Sequence, residues 1–515
     1  MFEISIIEFI LFFCYPLLMI AVSIYLSIIK EMNSERYFFA DKSIHWITHG
    51  ISLTAATFIS PYILGLTRSG YLGGFPVIYG IITAFLFYIY GWILIPYYSK
   101  INIKTIPQYF EIRYNKTFRH IISSTYIFIN IGIRLVLVLA AGNILINLFT
   151  NLDSYFTLLF FLIISCISLI ISGLKAELYI NAFNMLFIAL FTIGFAFWFF
   201  HQYQADKFGT NEFLYLPLLS SNLNVSIIKS LLAFLILGFW FVCADQIMIQ
   251  RTITVKNIDY LKRSSIVSML YQIIPVLFFT LIAVIIFNLF PQKTSEEIKN
   301  IFSGEGFLPE FMKGAFIITL MFVLTSLLLS CFNNTAYLLT FDFYSALKPN
   351  VSERELVLVG RITVIVLLFI SILLLSVVSY GEVRFYFNLF NLFFYVISII
   401  AAFLLGGLLF NSIPNSAAIS IFLSGLILIA FKVICEIFFS KYQFSFIVLK
   451  WLINLDFLEY SIFIFSFSFI LLLLLSKARL VLPSKSVSKK SIEEKLLFVF
   501  PVYMLVVDIT NLLNI

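Results

Sequence analysis

Charge is what this chain has least of. Of its 515 residues only 11% are Asp, Glu, Lys or Arg and four are His, whereas 62% are hydrophobic and 62 are Phe. A soluble fold keeps about a quarter of its residues charged, so a soluble enzyme or soluble binding domain is excluded. Cysteine is scarce as well. Cys14, Cys166, Cys243, Cys331 and Cys435 all stand inside apolar runs, with no CxxC and no Cys/His spacing. That argues against disulfides and structural zinc and leaves them as small hydrophobes. The four histidines, His45, His49, His120 and His201, lie near the ends of apolar runs, where interfacial water satisfies an imidazole. Deep histidines and paired acids are both lacking, so no enzymatic activity is expected.

What the chain does have is apolar length. Runs of about 20 residues, the length that crosses about 30 Å of hydrocarbon, recur from end to end. Fourteen spans are expected, at 5–29, 46–73, 77–98, 121–149, 154–172, 178–201, 227–250, 265–290, 311–341, 357–379, 386–410, 416–438, 456–476 and 496–513. The first has no basic leader and no small-residue cleavage site, so it reads as a permanent helix and not a signal peptide. The formal charge of +7 sits in short loops, which points to membrane orientation and not to a nucleic-acid partner. Loops 30–45, 99–120, 173–177, 251–264, 342–361 and 477–495 hold 22 Lys/Arg, against nine on the opposite side. The basic set is therefore cytoplasmic and both termini face outward. Residues 100–120, which mix aromatics with bases, read as an amphipathic helix on the inner interface. The outward loop 291–310 reads as holding a short helix, and 477–490 as a basic inner-face anchor.

Two spans are poor uniform helices. In the second, Ser52, Thr54, Ala55, Ala56, Thr57 and Ser60 precede Pro61, which removes a backbone donor and breaks or kinks the helix. A break in hydrocarbon belongs beside a cavity or bound ion; the alternative is a kinked helix packed through small residues. In the seventh, Gly238 loosens a helix that then carries Asp245 and Gln246. A lone intramembrane Asp marks a functional site or a structural hydrogen bond. Arg134 of the fourth span lies too deep to reach water easily, and Asp245 is a partner for it. Asn181 and Asn184 share a face of the sixth span. Ser326, Ser330 and Asn333 fall at i, i+4, i+7 on the ninth, with Thr325 and Asn334 nearby, a stripe that is either interhelical glue or a site lining. Asn388 and Asn391 repeat the theme on the eleventh. Each interrupted span opens a group of five. Because five is odd, the second group enters the membrane inverted, the sequence signature of a secondary transporter with a midplane site.

These residues carry a resemblance. SLTAATFISPYILGLTRSGYLGG (52–74) resembles the broken first core helix of the sodium:solute symporter family, which includes the sodium/glucose cotransporters. TIPQYFEIRYN (105–115), SGLKAELYINAFN (172–184), FVCADQIMIQR (241–251), NNTAYLLTFDFYSALKP (333–349) and SERELVLVGRI (352–362) are similar to further family motifs, in order and at the family's spacing. The resemblance covers about residues 35–410. It implies an all-α polytopic membrane protein of the leucine-transporter type, with two inverted five-helix repeats, one helix before them and three after, about 14 in all. The units are then 1–45 (N-terminal helix and first cytoplasmic loop), 46–201 (first repeat), 202–410 (second repeat with its connecting loop) and 411–515 (three accessory helices).

Carried over residue by residue, the family's sodium site falls on the carbonyls of Ala55 and Phe58, on Val323 and on the hydroxyl of Ser326. The adjacent hydroxyl position is Leu327, which cannot coordinate, and a further acidic position is Asn181. Sodium wants about five or six hard oxygens, so coupling to sodium, to protons or to nothing stays open. The sugar-binding carboxylate of the sugar carriers falls near Ile81, their lysine near Tyr271, and their helix-breaking turn on Val396, Ile397 and Ser398. These substitutions argue against a glucose-like substrate. Candidate substrate-cavity residues are Thr57, Ile81, Asp245, Gln246, Tyr271, Asn388 and Asn391. The expectation is a plasma-membrane (cell inner membrane) carrier of a small organic solute working by alternating access. Its partners are that solute and membrane lipid, and sodium is its candidate bound ion, with no other cofactor. The alternatives are a sensor-like or transport-deficient member of the fold, and a proton-coupled or uncoupled carrier.

Overall fold

Capping side chains set where many of the helices begin. Asn115, Asp153, Asn257 and Asp456 each adopt extended backbone before an apolar run and accept a backbone N–H three residues on, at 2.6, 3.0, 2.9 and 2.9 Å. Each satisfies one of the orphan donors of a helix N-terminus, worth about 1 kcal/mol. At Asp456 and at Thr105 the cap is reciprocal, with Glu459 and Gln108 reaching back.

The computed structural model describes residues 6–28, 32–57, 75–101, 103–150, 152–202, 225–284, 309–348, 350–378, 383–410, 413–438 and 455–476. We label its helices α1 (Ile6–Ile28), α2 (Ser34–Phe39), α3 (Trp46–Ala56), α4 (Phe75–Ile101), α5 (Ile106–Arg113), α6 (Lys116–Asn147), α7 (Ser154–Ser172) and α8 (Leu174–Gln202). After the connection come α9 (Val225–Phe239), α10 (Gln246–Thr252), α11 (Ile258–Val284), α12 (Glu310–Leu338), α13 (Glu353–Val378), α14 (Val383–Leu409), α15 (Asn415–Phe438) and α16 (Phe457–Leu475). Among the described residues eleven helices are long and apolar enough to cross a membrane; the protein is an integral membrane protein. Pro61, Phe58, the 291–308 stretch, the 477–490 anchor and the fourteenth span at 496–513 lie outside the described residues.

Its central column is α12, which is buried on nearly every face. It packs against α1, α3, α6, α7, α8 and α13, while α4, α9 and α11 form a second group, and α14 and α16 close against α9. Two segments differ from the sequence reading. Residues 100–120 are not one interfacial helix. Asn115 restarts the chain as α6, and Tyr109, Phe110 and Tyr114 are buried, with the Tyr109 and Tyr114 hydroxyls donating to the Leu404 and Phe403 carbonyls at 3.3 and 2.7 Å. Burial pushes both phenols well above their usual range, so they stay neutral donors. Gly238 does not itself loosen α9, which stays α-helical through Phe239. It lets α4 approach, since a Cβ there would meet Leu86 Cδ1 at 2.9 Å, and the chain breaks seven residues later.

Candidate functional site

A helix interrupted inside an apolar bundle exposes carbonyls that must find donors. After α9 the backbone widens into a π-helical turn over Trp240–Ala244, Asp245 is extended (φ −66°, ψ 130°), and α10 restarts at Gln246. Two tyrosines from elsewhere in the chain supply the donors. Tyr98 donates to the Cys243 carbonyl at 3.0 Å and Tyr126 to the Ala244 carbonyl at 2.6 Å. Asp245 uses both of its carboxylate oxygens. Oδ1 caps α10 by accepting from Ile247 N–H at 3.2 Å, and Oδ2 receives Arg134 Nη2 at 2.6 Å. Arg134 sits on a second π-helical turn, Ile129–Leu135, gives Nη1 to Asn130 Oδ1 at 3.1 Å and lies over the Trp240 ring at 5.3 Å. Both partners are buried, 6% and 1% exposed. The pairing expected from the cost of two deep charges is present. Gln246 Oε1 accepts from Ile106 N–H at 2.6 Å, while its Nε2 is buried and finds no partner among the described residues.

The second cluster lies where α3, α8 and α12 meet, and is built on helical periodicity. Glu177, Asn181 and Asn184 fall at i, i+4, i+7 on α8, facing Ser326, Ser330 and Asn333 at the same spacing on α12. Asn184 Nδ2 donates to Ser326 Oγ at 2.9 Å and to the Phe322 carbonyl at 3.2 Å, and Thr325 Oγ1 pairs with Tyr15 at 2.6 Å. One turn further on, Asn181 Nδ2 donates to Ser330 Oγ at 3.3 Å and Asn333 Nδ2 to Glu177 Oε2 at 2.6 Å. The Oδ1 atoms of Asn181 and Asn184 are buried and find no donor among the described residues. Arg251 enters from the end of α10. Its Nη2 reaches Glu177 Oε1 at 2.6 Å and Ser330 Oγ at 2.7 Å, and its Nη1 donates to the Ser52 carbonyl on α3. His49 Nε2 donates to the Arg251 carbonyl at 3.0 Å, and Nδ1 meets Ser264 Oγ at 2.9 Å. Interfacial water therefore does not satisfy His49: it is fully buried and pins α3 to α10 and α11.

A third group closes the end that carries the basic loops. Buried Asp342 accepts from Thr105 Oγ1 at 3.1 Å and from Arg119 Nη2 at 2.6 Å, and Arg119 Nη1 reaches Glu111 Oε2 at 2.7 Å.

Of the residues singled out in the sequence, the structure brings Ser326 into the α8–α12 seam, and it buries Ala55 on α3, Val323 beside Ser326, and Leu327. Phe58 lies outside the described residues. Thr57 closes α3, its hydroxyl donating to the Thr54 carbonyl at 2.9 Å and to Gln272 Oε1 at 3.5 Å; Gln272 in turn donates to Thr83 Oγ1 at 2.7 Å. Asp245 and Gln246 form the break. Ile81 is not brought to any of these groups: it is 63% exposed on α4. Tyr271 and Asn391 are half-buried and Asn388 is exposed, so the three do not converge. Val396, Ile397 and Ser398 lie inside the continuous helix α14, and Ser398 Oγ donates to the Phe394 carbonyl at 2.7 Å. Sequence reasoning missed Glu177 and Arg251, although the spacing of Glu177 with Asn181 and Asn184 carried the signal. It also missed Tyr98, Tyr126 and Asp342.

Known proteins resemble this one at every level. Sodium/myo-inositol cotransporter 2 of Bos taurus is 25% identical over 413 residues, covering 72% of this chain and 61% of that protein. Sodium/glucose cotransporter 1 of Ovis aries is 26% identical over 401 residues, 67% of this chain and 59% of that one. The chain thus matches about three fifths of the length of these curated relatives. A solved Na+-coupled sialic acid symporter, in a substrate-bound outward-open state, superposes with a TM-score of 0.70 over 91% of this chain and 97% of its own at 18% identity, which establishes a shared fold. The family model of the sodium:solute symporter family matches residues 37–425, a stretch that takes in every motif quoted above. The chain belongs to the sodium:solute symporter family.

Proposed function

We propose that this protein is a secondary active transporter that moves a small organic solute across the plasma membrane by alternating access, coupled to sodium through a degenerate site between α3 and α12. The supporting observation is the meeting of α3, α8 and α12. There α3 packs against α8 and α12, and Asn184, which donates to the Ser326 hydroxyl, keeps an Oδ1 that finds no donor among the described residues. The carbonyls of Ala55 and Phe58 with Ser326 Oγ supply hard oxygens suited to sodium, and Asn184 adds one to a set depleted by Leu327. Val323 lines the same turn. The solute occupies the break at Asp245 and Gln246, bounded by Thr57; Gln246 Nε2 is a donor held in reserve there.

In this reading the inverted repeats are 46–201 and 202–410, within fourteen spans and with both termini outside. The Asp342 group and the Arg251 group hold the cytoplasmic end shut and part when the carrier opens inward. Ile81 and Tyr271 put no charged group where a polyol would need one, so the solute is not glucose-like. The test is uptake into proteoliposomes, with substrates chosen by a thermal-shift screen of metabolites. Accumulation driven by an inward sodium gradient supports the reading, and equal uptake without the gradient contradicts the coupling.

One observation favours a second reading. Arg251 already places a tethered positive charge between α3 (Ser52) and α12 (Ser330), one helical turn from the proposed ion. A fixed cation joining the same helices suits an uncoupled, proton-coupled or sensor-like protein, and sodium-independent solute binding would support it.

A further inference from the structure

Two arginines of α13 line a cavity that neither the coupling site nor the solute site uses. Glu353–Val378 begins at the end of the bundle carrying the basic loops, and its first turns bound a cavity of about 370 Å³ lined by Met32, Arg354, Val357, Leu358 and Arg361. Arg354 and Arg361 are seven residues apart, which puts them on one helix face about 10 Å apart along the axis, with Leu358 between them. Neither forms an ion pair with a described residue. The nearby Glu355 is held by Lys348 and Tyr344 instead. Arg361 sets its guanidinium over the Tyr37 ring, 6.0 Å from the centroid, and its Nε is buried and finds no acceptor among the described residues. A cavity lined by Met32, Val357 and Leu358 and by two guanidinium groups that form no ion pair among the described residues calls for an anion with oxygen acceptors.

The same face identifies what carries that anion. Leu358, Ile362, Ile365, Phe369 and Leu373 follow one another along α13, 55%, 50%, 40%, 63% and 70% exposed. This apolar stripe starts inside the cavity and runs along the helix for about 22 Å, close to the depth of one leaflet and beyond. A soluble anion gains nothing from it, whereas an acyl chain attached to the anion lies along it. We propose that the cavity is a binding site for an anionic phospholipid of the leaflet facing the basic loops, with the phosphate between Arg354 and Arg361 and one acyl chain along Leu358, Ile362 and Phe369. Basic pockets between membrane helices recognise lipid headgroups in this way. Because α2 supplies Tyr37 and Met32 precedes it, an occupied site ties α2 to α13.

Native mass spectrometry of the full-length protein, titrated with phosphatidylglycerol or phosphatidylcholine in detergent, tests this. Wild type is expected to retain phosphatidylglycerol and to prefer it over phosphatidylcholine. Each arginine is expected to contribute about fivefold, so R354Q weakens phosphatidylglycerol about fivefold and R354Q/R361Q about 25-fold, with phosphatidylcholine unchanged. Arg354 is exposed, so R354Q alone keeps the test independent of folding, and R354K/R361K is expected to keep most of the preference. Millimolar glycerol 3-phosphate or inorganic phosphate should not displace the lipid. Equal retention of both lipids by wild type, unchanged affinity in R354Q and R354Q/R361Q, or displacement by free phosphate would each overturn the proposal.

Discussion

The Arg134–Asp245 pair offers the sharpest test of how the broken helix is held. Both groups are buried, and each also bonds outside the pair. Asp245 caps α10, and Arg134 spans Asn130 and the Trp240 ring. Asp245→Asn keeps a good N-cap side chain but removes the charge, leaving the guanidinium uncompensated in the bundle. Breaking a buried pair from one side costs about 3–5 kcal/mol, and we expect that loss for Asp245→Asn and a similar one for Arg134→Gln. Asp245→Ala also loses the cap and should cost about 1 kcal/mol more. Combining Asp245→Asn with Arg134→Gln removes both charges and lets two neutral amides face each other. The double variant should therefore be far less damaged than the sum, with a coupling of at least about 2 kcal/mol. Steric-trap unfolding in bicelles reads these free energies without requiring a known substrate. Additivity within about 0.5 kcal/mol would show that the two charges do not depend on each other and would refute the reasoning.

Tyr126→Phe removes the donor to the Ala244 carbonyl and should destabilise by about 1–3 kcal/mol, whereas Tyr25→Phe, 68% exposed, should be silent in the same unfolding assay. Glu177→Gln leaves the Arg251 charge buried without its acid and should cost about 3–5 kcal/mol, seen as a lower melting temperature by fluorescence-detected size exclusion. Arg251→Lys cannot serve Ser52, Glu177 and Ser330 together and should fall between that variant and wild type. A topology reporter fused near Ser488 should read as cytoplasmic and one near Ser303 as external; the same side for both would mean that the span count is wrong by an odd number.

Much of the bundle was legible because hydrocarbon thickness and charge cost leave few choices. The run at 154–172 became α7 with those limits, since Asp153 caps its start. Arg134 and Asp245 could be paired from sequence because two deep charges have few other partners. Charges near span ends were harder. In the sequence Arg251 reads as a loop cation and His49 as an imidazole satisfied by interfacial water, yet both are buried, because α3, α8, α11 and α12 pack together at that depth and bring their own acceptors. The tyrosine donors had no signal at all. Nothing distinguishes Tyr98 and Tyr126 among 27 tyrosines until the fold lays them against a break more than a hundred residues away. The aromatic and basic segment at 100–120 fits an interface as well as a buried wedge, and only Asn115 and the Leu404 and Phe403 carbonyls decide between them.

The sodium site proposed at α3 and α12 lacks one ligand, at Leu327. The most direct measurement is a sodium titration of melting temperature, at constant ionic strength, for wild type, Leu327→Ser and Ser326→Ala. One missing oxygen ligand is worth about 1–3 kcal/mol, or about 5- to 150-fold in affinity. Leu327→Ser starts from a lower melting temperature, because a buried leucine is lost, but should respond to sodium at concentrations lower by that factor. Ser326→Ala should respond less than wild type. Three flat titrations that do not depend on sodium would contradict the claim and leave Arg251 as the only cation joining these helices among the described residues.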